Sequence, residues 1–276
     1  MNWLIWNIRG FNFPLKQKEV KVKVKKWNVN LVCLVETRVR EEKIGEIMNS
    51  FLPRWKFCFF ISQHGLGRIW VMWTEDMFSI QICQIIPQAI HCKILFRDKM
   101  CYSSFIYGAN KGVERNVLWD NLVQFCRQVR GFPWILAGDF NVIRNANEKL
   151  DGLTVGCYEN EFNSCLDKLE VWDHAAVGCF YTWSNRQSKE EFVAKKLDWV
   201  LINQEWGSCF GHSVVEFLPP GISNHSAILV SMGGSKNYGP KPFKIFNYWC
   251  DHKDFLRWFE EAWDIEVSGT PMFKLY

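Results

Sequence analysis

The stretch Pro133-Trp134-Ile135-Leu136-Ala137-Gly138-Asp139-Phe140-Asn141 constrains this chain most. A short apolar run bounded by a proline reads as a buried strand, and this one breaks off in a carboxylate and an amide. In extended backbone alternate side chains share a face, so Asp139 and Asn141 form one polar patch while Phe140 turns to hydrophobic packing. Gly138 lacks a Cβ and admits another backbone or a phosphate close by. An Asx turn closing a strand accounts for the same residues, so the rest of the chain has to decide between the two readings.

The pattern recurs. Trp3-Leu4-Ile5-Trp6 ends in Asn7-Ile8-Arg9-Gly10, Leu31-Val32-Cys33-Leu34-Val35 ends in Glu36-Thr37-Arg38, and a strand over Cys101 to Tyr107 ends in Gly108-Ala109-Asn110. Between them, Trp55 to Ile61, Gly67 to Thr74, Phe78 to Ile86 and Ile90 to Phe96 are successive β segments with short gaps, which favours antiparallel meanders. Phe180 to Asn185, Lys196 to Ile202 and Ala227 to Ser231 are the later strand candidates. Asp198, with apolar neighbours on both sides, is expected to be buried and to need a partner; His225, just before the last strand, is a candidate.

Helical spacing marks Ile44, Ile47, Met48 and Phe51, stopped by Pro53, then Leu118, Leu122, Phe125 and Val129, and Phe162, Cys165, Leu166 and Leu169. Pro14 to Trp27 carries six lysines against one glutamate, with Val20, Val22 and Val24 alternating. Strand and basic helix compete there, and helix is the expectation. Gly233 to Pro242 reads as a linker, so the compact domain should end near Met232. Beyond it Phe255, Leu256, Phe259, Ala262 and Trp263 form an apolar stripe on a helix.

With 276 residues, 48% hydrophobic, the chain can bury one large core or two modest ones. Its formal charge of +4 permits contact with a polyanion without demanding it. Eleven cysteines, none in a CxxC pair, exclude a zinc knuckle or a compact disulfide framework and suggest reduced, mostly buried thiols. The N-terminus shows no basic stretch followed by a long apolar run, and no apolar stretch is long enough to span a bilayer. An intracellular protein without membrane partner is expected.

Taken in order, these strand-end clusters resemble the endonuclease/exonuclease/phosphatase (DNase I-like) superfamily, and most of all the endonuclease domain of plant non-LTR (LINE-type) retrotransposons. The resemblance is carried by Trp6-Asn7-Ile8-Arg9-Gly10, Leu34-Val35-Glu36-Thr37-Arg38, Gly67-Arg68-Ile69-Trp70-Val71, Tyr107-Gly108-Ala109-Asn110, Gly138-Asp139-Phe140-Asn141, Thr182-Trp183-Ser184-Asn185, Lys196-Leu197-Asp198 and Ile222-Ser223-Asn224-His225-Ser226. It covers residues 1–232 and implies an α/β, four-layer sandwich of two packed β-sheets flanked by helices. It also implies a Mg²⁺-dependent phosphodiester hydrolase, with Mn²⁺ as a substitute and no small-molecule cofactor. Such an enzyme nicks DNA to leave 3′-hydroxyl and 5′-phosphate ends.

Carried onto this chain, the resemblance makes Glu36 the metal holder, with Asn7 and Asn224 beside it. Asp139 becomes the base for the attacking water, and Asn141 and Asn7 neutral positioning groups. His225, supported by Asp198, and Tyr107 become donors to the phosphate. Trp183 is expected to pack in the core or support a loop rather than touch DNA. Residues 233–276, including Lys241 to Trp249 and Gly269 to Met272, resemble the start of a connection to a reverse transcriptase, a further expected partner, and nuclear action would follow.

Two positions depart from the wider pattern: Arg9 stands where many relatives have aspartate, and Asn224 replaces aspartate in the usual Ser-Asp-His. The second removes one negative charge and predicts weaker metal affinity. It also keeps a binding-only remnant open as an alternative, beside a phosphomonoesterase of the same fold.

Overall fold

The computed structural model describes residues 1–150, 157–187, 191–233, 256–257 and 260–261. The chain divides into two compact units, Met1–Gly234 and Ser235–Tyr276. In the second, Leu256, Arg257, Glu260 and Glu261 are helical, with Arg257 3.7 Å from Glu261 one turn on. The remainder of the expected linker, of the Phe255 to Trp263 helix and of the reverse transcriptase-like segments lies outside the described residues.

The first unit opens with β1 (Asn2–Asn7), α1 (Pro14–Lys26), β2 (Val29–Val35), α2 (Glu41–Phe51), β3 (Lys56–Ile61) and β4 (Gly67–Trp73). The middle of the unit is β5 (Ser79–Ile86), β6 (Ala89–Phe96), β7 (Lys99–Tyr107), α3 (Gly112–Gln128), β8 (Trp134–Asp139) and α4 (Cys157–Leu169). It closes with the short β9 (Trp172–Asp173), β10 (Ala176–Gly178), β11 (Trp183–Ser184) and β12 (Ala194–Lys195), then β13 (Asp198–Ile202), α5 (Gln204–Phe210), β14 (Val214–Phe217) and β15 (Ile228–Ser231).

Two mixed sheets result, ordered β10-β14-β15-β1-β2-β4-β3 and β5-β6-β7-β8-β13-β9. The meanders expected from the short gaps are present as antiparallel pairs β3 with β4 and β5 with β6 with β7. Parallel pairs β1 with β2 and β7 with β8 each need a crossover, supplied by α1 and α3. Alternation along each central strand explains the layers. Trp3 and Ile5 of β1, Cys33 of β2, and Ile135 and Ala137 of β8 fill the core between the sheets. Leu4 and Trp6 turn outward to meet Val20 and Val24 of α1 and Ile44, Ile47 and Phe51 of α2. Trp134 and Leu136 meet Leu118, Leu122 and Phe125 of α3 and Phe162 and Leu166 of α4. The architecture is therefore helix, sheet, sheet, helix.

The competition at Pro14 to Trp27 resolves as helix. Lys23 is buried on its inner face, its ammonium 3.0 Å from Glu19 and 5.2 Å over the Trp6 ring. Of the expected strand Phe180 to Asn185, only Trp183–Ser184 is a strand, paired with the two-residue β12, because its backbone donors are divided between the 193–195 stretch and the Asn224 carbonyl. Nine cysteines among the described residues are free, four of them buried and two, Cys83 and Cys209, exposed. Fewer are buried than composition suggested.

His91 is a core histidine. Its ring stacks on Phe125 at 4.1 Å and bonds Ser104 Oγ at 2.7 Å and Asn121 Oδ1 at 2.8 Å. Burial lowers its pKa to about 4, against a smaller raising effect of Asn121. The folded pKa lies below that of the unfolded chain, so this group's contribution is complete above about pH 6.5. It is lost as pH falls toward 4, by up to about 3 kcal/mol. Urea unfolding between these pH values should show that slope, and His91→Gln should flatten it.

Candidate active site

Parallel pairing of β7 with β8 and antiparallel pairing of β8 with β13 put Tyr107, Asp139 and Asp198 side by side at the strand ends. Asn7, last residue of β1, enters from the opposite sheet and donates from Nδ2 to Asp139 Oδ2 at 2.8 Å. The backbone N–H of Asn141 donates to the other carboxylate oxygen at 2.9 Å, and its side chain donates to the Gly108 carbonyl at 2.8 Å. The Asx turn is thus real and serves to fix the carboxylate.

The segment between β14 and β15 closes the site. Ser223 Oγ donates to the Asn7 carbonyl at 2.6 Å, and Trp6 Nε1 donates to the His225 carbonyl at 2.9 Å. His225 Nδ1 lies 2.9 Å from Asp198 Oδ2, and its Nε2 lies 3.7 Å from Asp139 Oδ2. Thr182, which the sequence pattern marks only as part of a motif, is a hinge of this arrangement. Its hydroxyl accepts from the backbone N–H of Leu197 at 3.0 Å and of Asp198 at 2.9 Å, and its carbonyl accepts from Ser226 at 2.7 Å.

These side chains open onto one cleft of about 350 Å³, lined by Glu36, Asp139, Asn141, Asn224 and His225 together with Arg9, Arg38, Asn110, Trp183, Lys195 and Leu197. Asn7, Asp198 and Tyr107 stand behind it, buried. The first two act on the lining through their hydrogen bonds. The Tyr107 ring lies 4.6 Å beneath the Arg68 guanidinium. Glu36 pairs with Arg38. With the Asn224 amide turned to satisfy its neighbours, its Oδ1 accepts from Trp183 Nε1 at 2.6 Å and from Arg9 Nη1 at 2.8 Å. Asn7 Oδ1 accepts from the Arg9 backbone N–H at 3.0 Å.

Backbone geometry singles out the same cleft. Arg9, Glu36, Arg38 and Asn141 line it with φ of 48°, 54°, 53° and 54°, four of the nine positive-φ non-glycine residues among those described. Each costs of order 1 kcal/mol, and such strain gathers where loops must aim side chains at a ligand.

Burial pushes the Asp139 carboxyl up to about 7, in spite of His225 and the bonds from Asn7 and Asn141. Burial alone would lower His225, but the Asp198 and Asp139 carboxylates outweigh it and raise the imidazole to about 9. Tyr107 is pushed up by burial and by Glu36 and Asp139, and stays a protonated donor. At neutral pH the site therefore holds a base poised near the working range beside a charged histidine.

Asp139, Asp198 and His225 offer ligand atoms within 4.8 Å of one another. His225 Nδ1 is already engaged by Asp198, however, and hard divalent cations favour one or two carboxylates with water and phosphate oxygens. By donor chemistry Glu36 and Asp139, lining one cleft, fit a divalent metal, which would share Glu36 with Arg38 and Asp139 with the Asn7 and Asn141 donors. The carbonyl oxygens of Asn7 and Asn224 already accept from other groups.

Two packed mixed sheets with flanking helices, and a polar cleft across the strand ends, define the class of fold: it is the DNase I-like four-layer sandwich that solved nuclease structures share. Among solved structures, the endonuclease domain of TRAS1, a telomere-specific non-LTR retrotransposon, aligns with TM-score 0.63 and 11% identity over 85% of this chain and 99% of its own. The 3′-5′ exonuclease NExo of Neisseria meningitidis aligns with TM-score 0.64 and 15% identity over 84% and 99%. NExo bound to a product DNA hairpin, described as a 3′ phosphatase, gives 0.64 and 13% over 84% and 98%. No protein-family model matches the sequence, and no curated protein matches it either. Among the described residues no helix is long and apolar enough to cross a membrane.

Proposed function

We propose that this chain is a divalent-metal-dependent DNA endonuclease of retrotransposon type, nicking one strand by attack of water on a phosphodiester. The observation that carries it is the chain Asn7–Asp139–His225–Asp198, opening onto a cleft that Glu36 also lines. Asp139, steadied by Asn7 and Asn141, takes a proton from the water as its oxygen bonds to phosphorus. The bond from phosphorus to the 3′ oxygen breaks, and that oxygen takes up a proton from solvent water, leaving a 3′-hydroxyl and a 5′-phosphate. Protonated His225, kept charged by Asp198, donates to the phosphate oxygen on which charge accumulates, and the Tyr107 hydroxyl is a second donor to that phosphate. Mg²⁺ held at Glu36, or Mn²⁺ in its place, would neutralise phosphate charge and lower the pKa of bound water. The DNA substrate makes the nucleus the expected place of action, with a downstream reverse transcriptase as partner.

The test is conversion of supercoiled plasmid to the nicked circle by purified protein, stopped by chelation and restored by Mg²⁺. Recovered ends should accept polymerase extension. Asp139 must be deprotonated and His225 protonated, so the rate should rise as pH climbs through about 7 and fall as it climbs through about 9. Higher Mg²⁺ should move the lower limb to lower pH, because a nearby cation favours the carboxylate. Nicking with no pH dependence across this range would remove the pair from the mechanism. The Asn224 amide favours one other reading, a protein that binds DNA without cutting it, and DNA binding with no Mg²⁺-dependent nicking would select it.

A further inference from the structure

Arg9 lines the cleft with Asp139 and His225, and among the described residues it has no carboxylate partner, whereas Arg38 in the same cleft is paired with Glu36. Its backbone is pinned on both sides. The N–H donates to Asn7 Oδ1 at 3.0 Å, and the carbonyl accepts from Lys16 Nζ at 2.6 Å. Its guanidinium donates to Asn224 Oδ1 at 2.8 Å, and Trp183 Nε1 holds that same oxygen at 2.6 Å. A neutral carbonyl orients a guanidinium without cancelling its charge. A carboxylate at the same distance would form a charge-assisted pair and compete with any anionic ligand.

Resting on the phosphodiesterase reading above, we propose that Arg9 is the substrate-binding residue that grips the DNA phosphate in this cleft. In this arrangement Asn224 and Trp183 are its positioning residues. The amide at 224 is then the feature that leaves the charge of Arg9 available, and its first effect is on substrate rather than on metal. A planar guanidinium with several N–H donors suits phosphate oxygens, and lysine is not its equivalent.

Two readouts separate this from a metal effect: plasmid nicking over Mg²⁺ and substrate titrations, and binding of a labelled DNA duplex in EDTA over a NaCl titration. Arg9→Ala should weaken duplex binding about ten-fold. It should also raise KM for plasmid more than it lowers kcat, and reduce the salt slope by about one. Arg9→Lys should restore the salt slope and only part of the affinity. Asn224→Asp should weaken duplex binding in EDTA, and in an Arg9→Ala background it should have little further effect.

Asn224→Asp that lowers the Mg²⁺ requirement with duplex binding unchanged would overturn the proposal, as would Arg9→Ala with wild-type KM and binding. Wild-type protein that nicks, with an indifferent Arg9→Ala variant, defeats this inference alone. Wild-type protein that neither nicks nor binds DNA defeats the phosphodiesterase reading and this inference with it.

Discussion

Asp139→Asn is expected to lower the plasmid-nicking rate by about three orders of magnitude, the range that loss of a positioned general base produces. Asp139 is 1% exposed and accepts from Asn7 Nδ2 and from the Asn141 backbone N–H, one donor on each oxygen. An amide fills the same volume and keeps one of these bonds, but it turns an NH₂ toward the other donor and cannot take the proton of the attacking water. The unpaired donor should cost about 1–3 kcal/mol of stability, so melting has to be followed beside the rate. A rate loss in folded protein assigns the carboxylate to chemistry, and nicking that survives the substitution assigns it to structure. Asp198→Asn should act more gently. The imidazole of His225 loses the carboxylate 2.9 Å away that does most to keep it charged, so the alkaline limb of the pH profile should move to lower pH.

Gly138→Ala should destabilise the fold by about 3 kcal/mol or more, the scale of a steric clash that backbone must move to relieve. The residue sits one position before Asp139 with φ of 142°, conformational space that side chains with a Cβ avoid. It pairs with Ile106 on the neighbouring strand, and an added Cβ would lie 3.0 Å from the Ile106 carbonyl carbon and nearer still to its oxygen. Neither atom is the tip of a flexible side chain, so β7 or β8 has to shift, carrying Tyr107 or Asp139 with it. Gly45→Ala is the matched control. That glycine lies within α2 with nothing within 4 Å of its added Cβ, and alanine there should stabilise by about 0.5–1 kcal/mol. Urea midpoints for the two variants should move in opposite directions, and loss of nicking in Gly138→Ala should follow loss of folded protein.

Which strands form was legible because central strands buried on both faces read as continuous apolar runs. Trp3 to Trp6, Leu31 to Val35 and Trp134 to Ala137 could hardly be anything else. The stretch 203–218 was not legible. It holds α5 and β14, too short for a period to show, and beside its local cap on Trp206 the Asn203 Oδ1 is tied across the fold by the backbone N–H of Trp134. The lysine-rich helix was ambiguous for a related reason. Its inner face includes Lys23, whose aliphatic stem packs while its ammonium finds Glu19 and the Trp6 ring, and a hydrophobicity pattern counts such a residue as exposed. At the site, residue types at strand ends singled out Glu36, Asp139 and His225. Nothing in their spacing shows that Asn224 faces Arg9 or that Thr182 holds Asp198.

The sequence by itself determined the repertoire: which runs become buried strands, and which acid, amide and imidazole groups stand where those strands stop. Burial and alternation are local properties of the chain and can be read along it. Only the tertiary structure decided which of these groups meet, that Asn7 and Asp139, 132 positions apart, share a hydrogen bond, and that one carboxyl is raised while a neighbouring imidazole is kept charged. The physical reason is that pairing across two sheets, and the desolvation that shifts a proton equilibrium, depend on distances that strand registers fix and that no stretch of neighbouring residues contains.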